Sequence, residues 1–230
     1  MPTDIPVVDL VLRADPELLA IVRLSLAVSL AAVACAAALA LPLGALVALT
    51  RFPGRDATIV ALNTLMGLPP VVVGLAIYLL LSRSGPLGDF GLLFTPQAMV
   101  IAQAVLVAPI IAALTRQTIE DLWLEYCDEL AAMHVAPVQR VRTLLWDARF
   151  SLLTALLAGF GRASAEVGAV IIVGGNIEGH TRTMTTAIAL ETSKGDLPLA
   201  IGLGLVLMAI VVLVNALAWG ARRAGERLAG

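Results

Sequence analysis

Four stretches of this chain, Leu24–Thr50, Ala57–Ser82, Phe90–Thr115 and Leu197–Ala221, contain no Asp, Glu, Lys or Arg, and each is at least 25 residues long. About 20 helical residues cross a hydrocarbon core of roughly 30 Å. A fifth stretch, Phe150 to about Ile177, carries no charge except Arg162 and Glu166. Backbone polar groups in lipid must be satisfied within the segment, so helices are expected in all five. Composition agrees: 60% of residues are hydrophobic and 14% charged, where soluble domains run near one half and roughly one quarter. The expectation is an all-α integral membrane protein of about five transmembrane helices, near 20–50, 57–82, 92–115, 150–174 and 197–221. The first apolar run is too long for a signal h-region and is expected to stay in the membrane.

Arginines set the orientation. Arg51, Arg55, Arg116, Arg140, Arg142, Arg149, Arg222, Arg223 and Arg227 follow the first, third and fifth runs, nine residues in all. The other side collects four: Arg13, Arg83, Arg182 and Lys194. Positive charge stays in the cytoplasm, which predicts an external N-terminus and a cytoplasmic C-terminus. The longer connections are then a cytoplasmic segment, 117–149, and an external one, 174–196, rich in Gly and Thr with no clear period. Within 117–149, Thr118 to about Val135 has the composition of a helix, Pro137 argues for a break, and Val138–Trp146 reads as a short amphipathic helix.

Some residues inside the runs are not simple lipid filler. Pro69-Pro70, preceded by Asn63, Thr64 and Gly67, interrupts the second run. Proline there kinks the rod and frees carbonyls, and either helix packing or a pathway-lining bend would use that. Gly159, Gly161, Gly168, Gly174 and Gly175 offer small surfaces for close packing in the fourth. Arg162 and Glu166 stand four residues apart, on one face of a continuous helix. Near mid-span each would cost roughly 2.5–3.5 kcal/mol unless paired or wet. They are either an internal salt bridge or a polar element lining a solute path. His134 and His180 are too isolated to suggest a metal site. Cys35 and Cys127 are too separated in context to suggest a disulfide. No phosphate-cradling G-x-x-x-x-G-K-[ST], HExxH, CxxC or Ser/His/Asp cluster occurs, so enzymatic chemistry in this chain has no support.

The cytoplasmic run Glu129-Leu130-Ala131-Ala132-Met133-His134-Val135-Ala136 resembles the EAA loop of ATP-binding-cassette importer permeases, with Leu130 for the first Ala and Val135 for the Gly. The runs Asn63–Gly74, Gly159–Gly168, Val173–Ile177 and Thr181–Asp196 resemble the permease subunit of tungstate importers, relatives of the molybdate and sulfate permeases. The resemblance spans about Leu18 to Ala216. It implies a single permease domain over 1–230 with type I importer architecture, in a prokaryotic inner membrane. It implies a homodimer of this chain, two ATP-binding subunits that hold the ATP-Mg, and an extracytoplasmic tungstate-binding protein, with no cofactor in the chain itself and no nucleic-acid partner. Tungstate, with molybdate as the alternative, would cross by alternating access. Glu129, Leu130, Ala131, Ala132 and Val135 would couple to the ATPase, as a short helix seated in its groove. Asn63, Thr64, Met66, Pro69, Pro70 and Val73 would form the pathway and gate. The rival is a self-contained channel or secondary transporter for a small anion. Such folds often carry internal repeats, and only Pro109 offers a loose counterpart to Pro69-Pro70.

Overall fold

The computed structural model describes residues 16–229. Within them it is helical throughout, with no strand. The helices are α1 (Pro16–Leu49), α2 (Arg55–Leu65), α3 (Pro70–Leu81), α4 (Pro96–Ala132), α5 (Pro137–Asp147), α6 (Arg149–Ser164), α7 (Gly168–Gly174), α8 (Met184–Lys194) and α9 (Leu197–Ala229). A 3-10 turn, Gly88–Phe90, lies between α3 and α4. Arg13 and the N-terminal end assigned to the outside lie beyond the described residues.

The long parallel pair α1 and α4 forms the centre, with Val28 beside Met99 and Ala45 beside Ile119, and small residues allow it. Val28, Ala32, Ala36, Ala40, Gly44 and Ala48 recur every fourth residue on α1, all buried. That spacing makes one stripe along a helix. Toward the C-terminal end of α1 the backbones nearly touch: a Cβ on Gly44 would lie 2.5 Å from the Ala112 carbonyl oxygen and 2.9 Å from Thr115 Cβ. Without a hydrophobic drive between helices in lipid, such close approach supplies the attraction. The opposite faces, with Leu39 of α1 and Leu205, Met208 and Val212 of α9, are exposed, as lipid-facing surfaces should be.

Three helices, α1, α4 and residues 197–220 of α9, are long and apolar enough to cross a membrane alone. Two bent pairs raise the number to as many as five. One is α2 and α3, which meet at 99°. The expected second span, 57–82, is therefore not one rod. Pro70 is the first residue of α3 and Pro69, at φ −65 and ψ 119, is extended. Proline disfavours helical backbone in the residue before it and lacks the N–H that would continue the helix. The other bent pair is α5 and α6, at 75°.

The expected fourth span, 150–174, is also divided, into α6 and α7 with a break at 165–167. The glycines there pack as their size suggests, with one exception. A Cβ would lie 2.7 Å from Val107 at Gly159, 3.0 Å from Val71 at Gly168, 2.9 Å from Met99 at Gly174 and 2.9 Å from Phe94 at Gly175, but Gly161 faces open space. The segment 174–196, expected on the outside, holds a helix, α8, whose N-cap Thr183 N–H bonds the Thr186 hydroxyl at 2.9 Å. Its first turn is buried at Met184, Thr186 and Ala187.

Candidate functional site

The two helix breaks lie side by side. Gly168, first residue of α7, is against Val71 of α3, and a Cβ on Gly74 would come within 2.7 Å of Ala169 Cα. The Pro69-Pro70 bend thus adjoins the gap between α6 and α7.

Glu166 occupies that gap and is 3% exposed. Its Oε2 stands 3.4 Å from Arg162 Nη1, so the pair expected from the spacing forms. The geometry differs from the expectation, because α6 ends at Ser164 and Glu166 is not on a continuous helix with Arg162. Its Oε1 accepts the Ala169 N–H at 3.1 Å. Near the start of a helix a carboxylate satisfies an orphan amide and meets the positive end of the dipole. Its backbone carbonyl accepts the Thr185 hydroxyl at 2.9 Å, tying the gap to α8. Arg162 reaches outward, with its side chain 32% exposed.

The residues assigned to the pathway divide across the bend. Asn63, Thr64, Met66 and Pro69 are exposed and Pro70 is half-buried. The Thr64 hydroxyl is bonded to the Val60 carbonyl at 2.8 Å. Val73 points the other way, into the core with Ile77, Met99 and Val170. It does not share the exposed face, where Val71 and Val72 stand instead, because the 99° turn redirects the helix between Met66 and Val73.

A mainly apolar cleft with about 390 Å³ of non-atom space, open solvent included, opens beside the gap. Ser25 and Ser29 of α1, Gln103 of α4, Ser164 of α6, and Thr183 and Thr185 line one side, and Leu207, Ile210 and Val211 of α9 the other. Ser25 accepts the Met184 N–H at 2.8 Å and so anchors the tip of α8. Gln103 is 3% exposed. Its Nε2 donates to the Ala163 carbonyl at 3.1 Å, while its Oε1 has no partner among the described residues. None of these six was singled out by the sequence reading. The available signal was an amide in an otherwise apolar run, since polar side chains inside spans are costly and tend to be functional.

At the C-terminal end of α4 the EAA-like run is not one helix. Glu129–Ala132 is the last turn of α4, the chain turns through 133–136, and α5 begins at Pro137. His134 makes the turn at φ 53, next to the position where the family pattern has Gly. Glu129, Ala131 and Ala132 are exposed. Leu130 is 6% exposed and Val135 half-buried, both packed with Ile119 and Leu144. These two turn toward the chain's own core, unlike Glu129, Ala131 and Ala132. Exposed Met133 and Val138 flank the turn. The carboxylate of Glu125, then that of Asp147, burial and Glu129 push the Tyr126 hydroxyl above its usual range. Arg140 stands on the same turn, its Nε donating to the Val135 carbonyl at 2.8 Å.

No protein-family model matches the chain. It is 44% identical over 210 residues, 89% of its length and 90% of the other's, to the probable anion ABC transporter permease protein of Haloferax volcanii. It is 41% identical over 208 residues, 90% of its length and 91% of the other's, to the tungstate uptake system permease protein TupB of Peptoclostridium acidaminophilum. A more distant likeness, 28% over 187 residues, covers 77% of this chain and 63% of the sulfate transport system permease protein CysW of Escherichia coli.

Proposed function

Since the chain belongs to the family of anion ABC-transporter permeases that includes the tungstate uptake permeases, we propose that it is the membrane subunit through which tungstate enters the cell. The observation that carries this is the likeness to a tungstate permease, which runs over about nine tenths of both chains. Molybdate, of the same charge and tetrahedral shape, is the alternative cargo.

Two copies of the chain, two ATP-binding subunits and an extracytoplasmic binding protein make up the proposed importer of the cytoplasmic membrane. The ATPase seats against the turn at Glu129–Ala136 and α5. Exposed small residues at Ala131 and Ala132 permit close approach, and exposed Glu129 offers a charge for a basic group on the partner. Closure of the ATPase dimer moves this turn, and the membrane helices answer at the paired breaks. Asn63, Thr64, Met66, Pro69 and Pro70 form the moving edge there, with Arg162 and Glu166 as its fixed companion. Hydroxyl and amide groups meet an oxyanion without the hold of an unpaired fixed charge, and conduction needs release as well as entry.

The proposed topology has five crossings, with α2–α3 and α6–α7 as the two broken ones, an external N-terminus and a cytoplasmic C-terminus. Single cysteines at the exposed positions Gln139 and Glu178, in a background lacking Cys35 and Cys127, should then be labelled by an impermeant reagent from the inside only and the outside only, respectively. Reversed labelling would overturn the orientation. Cells without this chain should fail to accumulate tungsten from trace tungstate, and its return should restore accumulation. Unchanged tungsten content would remove the assignment.

A further inference from the structure

α2 is held to the rest of the protein in an unusual way. Leu62 is its one buried residue, so apolar packing fixes it only near its end. Its beginning is fixed by charge. Arg55 Nε donates to the Val47 carbonyl of α1 at 3.0 Å, and Arg55 Nη2 bonds Glu120 Oε1 of α4. The second oxygen, Glu120 Oε2, takes Arg116 Nη1 from the preceding turn of α4. One carboxylate thus bridges two guanidiniums, one orienting it and the other belonging to α2.

The placement of this clasp gives it a mechanical consequence. Glu120 and the Glu129–Ala132 turn lie on the same unbroken helix, and Pro109, the proline inside α4, precedes both. Nine residues separate Glu120 from Glu129, about 14 Å of rigid rod. Ten residues of α2 separate Arg55 from Leu65, after which the chain enters the Pro69-Pro70 bend. The connection from α1 to α2, by contrast, turns through Gly54 at φ 88, in the left-handed region that suits a flexible glycine.

We propose that Glu120 is a positioning residue that carries displacement of the ATPase-facing end of α4 into α2, and so into the bend at Pro69-Pro70. This rests on the reading of the chain as an ATP-driven permease. Partly exposed ion pairs contribute little to stability, and the side chains of Arg55, Glu120 and Arg116 are 25%, 29% and 15% exposed. Neutralising Glu120 should therefore leave the fold intact and remove the link.

The test uses the complete importer in liposomes, with binding protein and tungstate, and reads tungstate moved per ATP hydrolysed. In Glu120→Gln and Arg55→Gln the ATPase should still co-purify, with stimulated hydrolysis retained. Tungstate per ATP should fall roughly fivefold or more, the scale of a modest coupling energy. The double variant should fall no further than either single one, because both remove the same contact. An unchanged ratio in either single variant, multiplied losses in the double, or failure of both singles to assemble would overturn the link. Absence of ATP-driven uptake in the unmodified complex would overturn the permease reading, and the link with it.

Discussion

Glu129→Lys and Ala132→Trp should each leave the permease folded while lowering binding-protein-stimulated ATP hydrolysis and tungstate uptake together, by at least about tenfold, or 1.4 kcal/mol of docking. Both residues are exposed at the end of α4, so neither substitution disturbs the chain's own core. Glu129→Lys reverses the exposed charge presented to the partner. Ala132→Trp places an indole where a small residue permits close approach. Leu130→Ala provides the contrast. Leu130 is 6% exposed among Ile119, Leu144 and Leu152, and truncating a buried leucine costs about 2–5 kcal/mol. That variant should lose folded yield first and ATPase association as a consequence. The checks are size-exclusion profile, co-purification of the ATPase and hydrolysis rate in liposomes. Wild-type stimulation in both Glu129→Lys and Ala132→Trp would put the docking site elsewhere.

Glu166→Ala should be among the most damaging single changes in the membrane region, and Glu166→Gln distinctly milder. Alanine removes two contacts at once: the cap on the Ala169 N–H and the partner of Arg162. Loss of a side-chain cap costs typically about 1 kcal/mol. Breaking a buried ion pair adds up to about 3–5 kcal/mol, discounted here because Arg162 reaches solvent or headgroups. Glutamine keeps the Oε1 acceptor and loses only the ionic contact. Arg162→Ala combined with Glu166→Ala should recover part of the loss but not the cap, so the double variant should stay below wild type in thermal unfolding in detergent. Equal destabilisation by Glu166→Ala and Glu166→Gln would show that the cap contributes nothing.

Much of this architecture was legible because bilayer insertion penalises charge so strongly. A run of 25 or more residues without Asp, Glu, Lys or Arg has few other uses, and α1, α4 and α9 follow from that cost. The break at Pro69-Pro70 was legible from the missing N–H. Its 99° angle was not, since the angle depends on Val71 meeting Gly168 and on Gly74 meeting Ala169, contacts far apart in sequence. Without the angle, Val73 was grouped with Asn63 and Thr64 although it faces the core. The helix α8 was read as irregular for a similar reason. It is set by tertiary bonds, Met184 to Ser25 and Thr185 to Glu166, and its own hydrophobic period is weak. The spacing of Arg162 and Glu166 correctly suggested a contact, but the helix stops between them, and the capping role of Glu166 appears only with that stop. The orientation of Leu130 and Val135 was hidden because their apolar neighbours come from α5 and from earlier in α4. Gln103 was passed over as one amide in an apolar run, and its unpaired oxygen exists only relative to the fold.

The central claim is that this chain is a passage driven by an ATPase supplied in trans. Tungstate flux into liposomes tests it most directly, comparing the purified chain alone with the chain assembled with its ATPase and loaded binding protein, each with and without ATP. The account predicts accumulation only in the complete assembly with ATP, and a tungstate-tight membrane in the other three conditions. Tungstate movement through the purified chain alone would contradict it and establish a self-contained channel or secondary transporter in its place.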